Sequence, residues 1–496
     1  MEYNKIPVVL KRYSFEGKMQ ICTEYSRKLV DINGLISVEN FIGNPHPWEL
    51  ETFALFSVLS INEYDNKKFN SKKLRRQFTA IINSFRAYMP TVLESSKNDM
   101  KFVEYYMIVA GLTQFQIQEP FIYKYHRYNY FFNFKNEKVN MSDEFFNKYG
   151  TDYKDFVEFG WLINAFYSKD FKHNDDNKKI VDYLFKKYKH VLIKLVIERE
   201  NLILLQQEVS SNIDDYVYCF KYFYQFPFVM YEEKFYLPLP HLLFQSVTSS
   251  LLFRLTEDNN GLRYSFGKEV LESYLFDITN SSFDYEEIKQ ELVYKGPKGD
   301  DRSLDLMIKH NNQCLLIDVK SMSPRISIRN LETEAIDSTQ NRLVNQLVTL
   351  YKNIKTKFMK EYFPFDKNNE FEVENIFGFV VILEDSYIRR EIIHQKAASE
   401  LKIHTDSDNY KWMCANLRIV SLSDYERIVF HNENIFDHLT FSRDNESSWF
   451  NFTIYQEEVS ANNNMNASLY ESQNVLRDMF QNLEDELKEA TALGKF

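Results

Sequence analysis

Apolar and polar side chains alternate in two short runs, Ser303-Leu-Asp-Leu-Met-Ile-Lys309 and Gln313-Cys-Leu-Leu-Ile-Asp-Val-Lys-Ser321, separated by His310-Asn-Asn312. Alternation with period two on either side of an Asn-rich turn predicts a β-hairpin. With Asn311 and Asn312 as the turn, Asp305 falls opposite Asp318 with Cβ atoms ~5 Å apart. Lys320 shares that face, two residues beyond Asp318. Leu304, Leu306, Ile308, Leu315, Ile317 and Val319 are left on the other face for a core. Upstream, Phe266, Val270, Leu271, Tyr274 and Leu275 recur at helical spacing, with Glu269 and Glu272 beside the stripe. Downstream, Thr339 to Tyr351 reads as a helix, and Asn375 to Leu383 and Leu417 to Leu422 read as buried strands.

The remaining pattern divides the chain. Residues 1–208 read as mainly helical: Pro47 opens one helix, Leu74 to Met89 forms another ending before Pro90, and Val181 to Gln207 keeps helical spacing throughout. The polar stretch 208–215 marks a boundary. Aromatic strands around Tyr236 lead into the hairpin region, which runs to residue 441. Residues 442–496 form an acidic tail in which Ala461-Asn-Asn-Asn-Met-Asn-Ala467 reads as a linker. A final helix carries Leu476, Met479, Phe480, Leu483 and Leu487 on one stripe. Such a stripe suits docking, oligomerisation or packing onto the chain's own body.

Two facing carboxylates repel unless a cation lies between them. With an ammonium alongside, they suit an oxygen-bound divalent ion and a lysine next to an activated water. At this point the sequence resembles a family. Asp305 followed by Asp318-Val-Lys320 is similar to the PD-(D/E)xK signature of restriction-endonuclease-like nucleases, including the Mrr-like and RecB-like groups. The helix carrying Glu272-Ser-Tyr274 resembles the family's first helix, whose glutamate adds an acid to the metal site, with Glu272 a better match than Glu269. The order helix, hairpin, helix, strand, helix, strand over residues 216–441 is what the resemblance implies. Gln346 and Tyr351 resemble the glutamine-tyrosine motif of RecB-like nucleases, which touches the substrate strand. Here four residues intervene instead of three, setting the two side chains ~140° apart on a helix, so ordinary helix surface is the expectation for them.

Composition narrows the class. The chain has 496 residues, 44% apolar, enough for a sizeable core and two or three domains. Its longest apolar stretches, such as Tyr105 to Leu112, fall short of the ~20 residues that span a bilayer. The Met-Glu-Tyr-Asn-Lys start lacks an apolar signal segment, so a cytoplasmic protein without membrane contact is expected. Cys22, Cys219, Cys314 and Cys414 are far apart and read as reduced thiols rather than a zinc site or disulfide framework. No Walker A loop, GxGxxG or HExxH sequence is present. The net charge of −11 runs against phosphate binding, but residues 442–496 hold ten acidic against four basic side chains and account for more than half of it. Basic clusters remain at Lys67, Lys68 and Lys72 to Arg76, and at Lys186 to Lys189. The bland reading for both is a solvated helix face. Tyr123 to Phe132 interleaves aromatic and basic residues in a way that could stack bases, although packing is the stronger expectation in so aromatic a chain.

The expectation is an α/β protein: a restriction-endonuclease-like mixed sheet flanked by helices, behind a mainly helical N-terminal domain for recognition or regulation. Asp305 and Asp318 would bind Mg²⁺ or Mn²⁺, Glu272 would complete the acidic set, and Lys320 would orient and help deprotonate water. The activity would be metal-dependent endonucleolytic cleavage, of DNA, in a setting such as restriction-like antiviral defence. The alternatives are a catalytically silent nuclease fold that binds nucleic acid or assembles with a partner, and a structure-specific repair or resolvase nuclease. A homo-oligomer or protein partner would engage through the C-terminal helix or the N-terminal domain.

Overall fold

The computed structural model describes residues 1–31, 43–60, 71–97, 99–115, 119–171, 175–297, 299–444 and 465–492. Lys67, Lys68 and most of the expected 461–467 linker lie outside the described residues. The protein is mixed α/β with a helical N-terminal region. Helices at Pro47–Leu59 and Ser71–Ala87 follow the expected spacing, the first opened by a proline whose missing N–H costs nothing at a helix start. The expected 181–207 helix is interrupted. Helices end at Lys187 and Leu195, strand β1 (Val196–Glu198) intervenes, and a new helix starts at Arg199. The β-branched pair Val196-Ile197 instead joins β2 (Phe228–Tyr231) in parallel, and β2 pairs with β3 (Lys234–Tyr236) as an antiparallel hairpin.

The larger sheet contains β4 (Glu287–Gln290), then, beyond a small hairpin of β5 (Val293–Gly296) and β6 (Gly299–Arg302), β7 (Leu306–His310), β8 (Gln313–Lys320), β9 (Ile376–Ile382) and β10 (Leu417–Ser421). Its order is β10-β9-β8-β7-β4. β8, β9 and β10 run parallel, β7 is antiparallel to β8, and β4 is antiparallel to β7. The predicted hairpin register holds. Leu306 faces Ile317, His310 faces Gln313, and Asn311 takes the turn with φ 53°, which asparagine tolerates better than most residues. β8 is also the central strand of the sheet, with both faces buried. Met307, Cys314 and Leu316, on the face of Asp318, are fully enclosed.

Side-chain alternation gives each face of the sheet its own core. Leu306, Ile308, Leu315, Ile317, Phe377, Phe379 and Val381 face the helices at 266–280 and 422–429 and the N-terminal helices at 121–133 and 153–166. Met307, Leu316, Val380 and Ile382 face the Thr333–Lys352 and Arg390–Leu401 helices. Leu304, expected with the first group, packs in the second: it precedes β7, and the strand alternation does not extend back through the bend at Asp305.

A third core joins residues 3–85 to 197–242. The apolar cores thus cross the polar stretch at 208–215, and residues 121–195 help cover the sheet. Tyr123 to Phe132 belongs to this packing. Tyr123, Tyr125, Tyr128, Phe131 and Phe132 are buried, which removes them from base stacking. Arg127 there is enclosed between Glu119 and Glu426, and Glu426 also accepts a hydrogen bond from the Tyr274 hydroxyl at 2.6 Å.

The C-terminal helix, Ala467–Ala492, resolves its own alternatives. Leu469, Leu476, Met479 and Leu483 sit in the core beside Trp161, whose indole N–H donates to the Leu476 carbonyl at 3.0 Å. Lys187 pairs with Glu486 at 2.7 Å. The stripe is used within the chain, so the expected docking or oligomerisation through it is not what the fold shows.

Candidate charged site at the end of the central strand

Asp318 and Lys320 lie in the last three residues of β8, where the sheet ends and side chains leave the apolar layer. Lys320 Nζ donates to Asp318 Oδ1 at 2.6 Å. Asp305 stands at the bend before β7. Its backbone N–H donates to the Ile317 carbonyl at 3.0 Å, and its Oδ2 accepts from the Val319 N–H at 2.7 Å. The pairing that puts Leu306 opposite Ile317 thereby brings Asp305 beside Asp318, as the turn geometry required.

The helix at 266–280 approaches this end closely. Its first six residues, Phe266–Leu271, form a wide π-helical turn, a local geometry common where a helix serves a site. Gly267 allows the approach, because a Cβ there would stand 2.9 Å from Ser321 Oγ. Lys268 and Glu272 follow on the same face, one turn apart. Lys268 Nζ lies 2.9 Å from Glu272, 3.0 Å from Glu291 and 3.9 Å from Asp305. Glu291, just after β4, is held from its other side by Arg302 at 2.6 Å.

The electrostatics reflect four carboxylates gathered in a partly dry place. Burial, then the negative charge of Asp305, pushes the Glu272 carboxyl up to about 8, with Lys268 pulling the other way. Burial, then Asp318, raises Asp305 to about 6 against the pull of Lys320. Burial works against the Lys268 charge, but its hydrogen bonds to Glu272 and Glu291 outweigh that and leave its pKa above the usual lysine value. Lys268 therefore acts as the internal counter-cation. Among the described residues, no three His, Cys, Asp or Glu side chains are grouped closely enough to hold a metal ion. Asp305, Asp318 and Glu272 meet as a charge cluster rather than as a three-ligand cage.

Glu269 points elsewhere, to Lys138 at 2.8 Å and Asn136 at 3.0 Å, which agrees with preferring Glu272. Tyr351 does not join the cluster. It packs edge-on to Trp412 with ring centroids 5.8 Å apart, on the helix turn that lies against the first half of β9. Gln346 is half-buried on the same helix, one and a half turns earlier, and makes no side-chain hydrogen bond among the described residues. Lys268 and Glu291 were missed from sequence. The four-residue spacing of Lys268 and Glu272 was a usable signal, whereas β4, with Lys289 and Gln290 beside Ile288, alternates too weakly to place Glu291.

No protein-family model, curated protein or solved structure matches the chain.

Proposed function

We propose that the protein is a metal-dependent phosphodiesterase acting on nucleic acid, with DNA as its substrate, on a restriction-endonuclease-like fold. The observation that carries this reading is the meeting of Asp305 and Asp318 at the end of the central strand, with Lys320 bonded to Asp318 and Glu272 reaching in from the adjoining helix. Structure alone gives little reason to gather four carboxylates there, because two of them are driven well above their ordinary range.

The donor set is all oxygen and hard, which fits Mg²⁺ or Mn²⁺. Asp305 and Asp318 are the residues that would hold it, with Glu272 completing the acidic set directly or through water. A bound cation would supply charge neutralisation at the phosphate and acidify a water. Lys320 would orient that water and take part in removing its proton, and the Val319 N–H fixes the Asp305 carboxylate for its role. Restriction-like defence is the biological setting by fold analogy alone.

One observation favours a second reading. Lys268 already neutralises Glu272, Glu291 and Asp305, as in a nuclease fold kept only to bind nucleic acid. Incubation of the purified protein with plasmid, linear duplex, single-stranded DNA and RNA, in Mg²⁺, Mn²⁺ or EDTA, separates the two. Cleavage that needs the metal and disappears in Asp318→Asn supports the enzyme. Binding without cleavage in any metal supports the silent fold, and cleavage that persists in EDTA or in Asp318→Asn overturns the assignment of the site.

A further inference from the structure

Beside the carboxylates the chain forms a cleft of about 820 Å³, counting the solvent at its open mouth. It begins at Ser321, the residue after Lys320, and at Phe266, two residues before Lys268. Tyr224, whose ring stacks with Phe220 at 5.9 Å, and Phe253 line its wall, together with the polar Gln225, Ser250 and Arg263.

Three of these polar groups lack partners. The Ser250 residue is 8% exposed, and its hydroxyl makes no hydrogen bond. The side-chain amide of Gln225, 7% exposed, makes none among the described residues. Arg263 has no ion pair among the described residues. A buried polar group is nearly always satisfied, so the orphaned Ser250 hydroxyl, lining an open cleft beside Gln225 and the half-buried Arg263, points to a ligand that completes it. Arg325 and Arg342 stand close by, also without ion pairs among the described residues. Burial, then the charges of Arg325 and Arg263, holds the Arg342 guanidinium below its ordinary value, so the three cations share one region.

We propose that this cleft receives one unpaired nucleotide, its base against the rings and bonded to Gln225 and Ser250, its phosphate at Arg263, Arg325 and Arg342. Rings suit the π-face of a base, and an amide with a hydroxyl suits its hydrogen-bonding edge. A base stacked in a duplex offers neither, so the cleft selects a single strand or a flipped base. This rests on the nuclease reading for one point only: that the strand leaving the cleft continues past Ser321 to Asp305, Asp318 and Lys320.

The test is fluorescence anisotropy in EDTA with a labelled single-stranded DNA dodecanucleotide and the same sequence as duplex, with dAMP as competitor. The proteins are wild type, Gln225→Leu and Arg263→Ala, each with its melting curve. We expect the single strand to bind at least ~10-fold more tightly than the duplex, and each variant that melts like wild type to lose roughly tenfold. Displacement by dAMP assigns the cleft to a free nucleotide as well as a strand; resistance to dAMP assigns it to a strand alone. Equal affinity for duplex and strand, unchanged in both variants, overturns the proposal. Because the assay excludes the metal and reads binding, absence of cleavage in the preceding experiment overturns the nuclease reading and leaves the cleft standing.

Discussion

Glu272→Gln should make the metal-free protein more stable at alkaline pH, and the size of the effect follows from the site. Glu272 faces Lys268 from its own helix, Asp305 from the start of β7 and Glu291 from the end of β4. Its carboxyl holds a proton up to about pH 8 in the folded protein, against 4.5 ordinarily. A group whose folded value is raised binds more protons folded than unfolded, so stability is greatest below 4.5 and falls as pH rises through the window from 4.5 to about 8. At most this is worth roughly 5 kcal/mol. Part of the repulsion is shared with Asp305 and the side chain is 19% exposed, so roughly 2–3 kcal/mol is expected. For a chain of 496 residues, with ~2 cal/mol/K of unfolding entropy per residue, that becomes about 2–3 °C in Tm. Glutamine keeps the shape and the acceptor for Lys268 while removing the charge. Melting of wild type and variant in EDTA should therefore coincide near pH 5 and separate by about 2–3 °C at pH 9. Saturating Mn²⁺ should narrow the gap, because a cation that binds the folded carboxylates favours wild type. Parallel curves across the whole range would mean that Glu272 is solvated and ionised throughout, and the acidic cluster would lose its third member.

Other consequences are independent of that titration. Asp318→Asn should abolish the Mn²⁺ binding seen by calorimetric titration while leaving the melting profile near wild type; equal affinity would remove Asp318 from the metal. Lys320→Ala should lower turnover by orders of magnitude and leave the affinity measured by gel shift nearly unchanged, because the role proposed for the lysine is with the nucleophile rather than the strand. Ending the chain near Phe441 removes four fully buried side chains, Leu469, Leu476, Met479 and Leu483, and with them roughly 6–12 kcal/mol of gross burial. The shortened protein should melt lower or aggregate in light scattering, and an unchanged melt with altered mass would restore the docking role of the stripe.

The site was legible in sequence where local geometry decides it and hidden where long-range packing does. A two-residue turn fixes register, and register with period two fixes which side chains face each other. Asp305 and Asp318 could therefore be paired from sequence, and Leu306 opposite Ile317 bears this out. The same periodicity failed one residue outside the strand, at Leu304, because a bend is not written in the apolar pattern. Lys268 was passed over for a different reason. A lysine on a helix is read as solvated by default, and only the approach permitted by Gly267 turns it toward Glu291 and Asp305. The C-terminal stripe was equally readable as an interface or as core, since amphipathicity specifies that a face is buried but not by what. Trp161, some 300 residues away in sequence, settles it with one hydrogen bond to the Leu476 carbonyl. The cleft belongs to this second class. Gln225, Ser250 and Arg263 carry no spacing that would join them, and none stands out in a chain this rich in polar and aromatic residues. What sets them apart is where the fold has placed them: the Ser250 hydroxyl is buried without a partner, and Gln225 and Arg263 line the same cleft. An unmet hydrogen bond costs about 1–3 kcal/mol, a penalty comparable with the whole effect expected at Glu272. Under the proposed reading a bound nucleotide would complete that hydroxyl, and a divalent cation would relieve the repulsion among the carboxylates beside it.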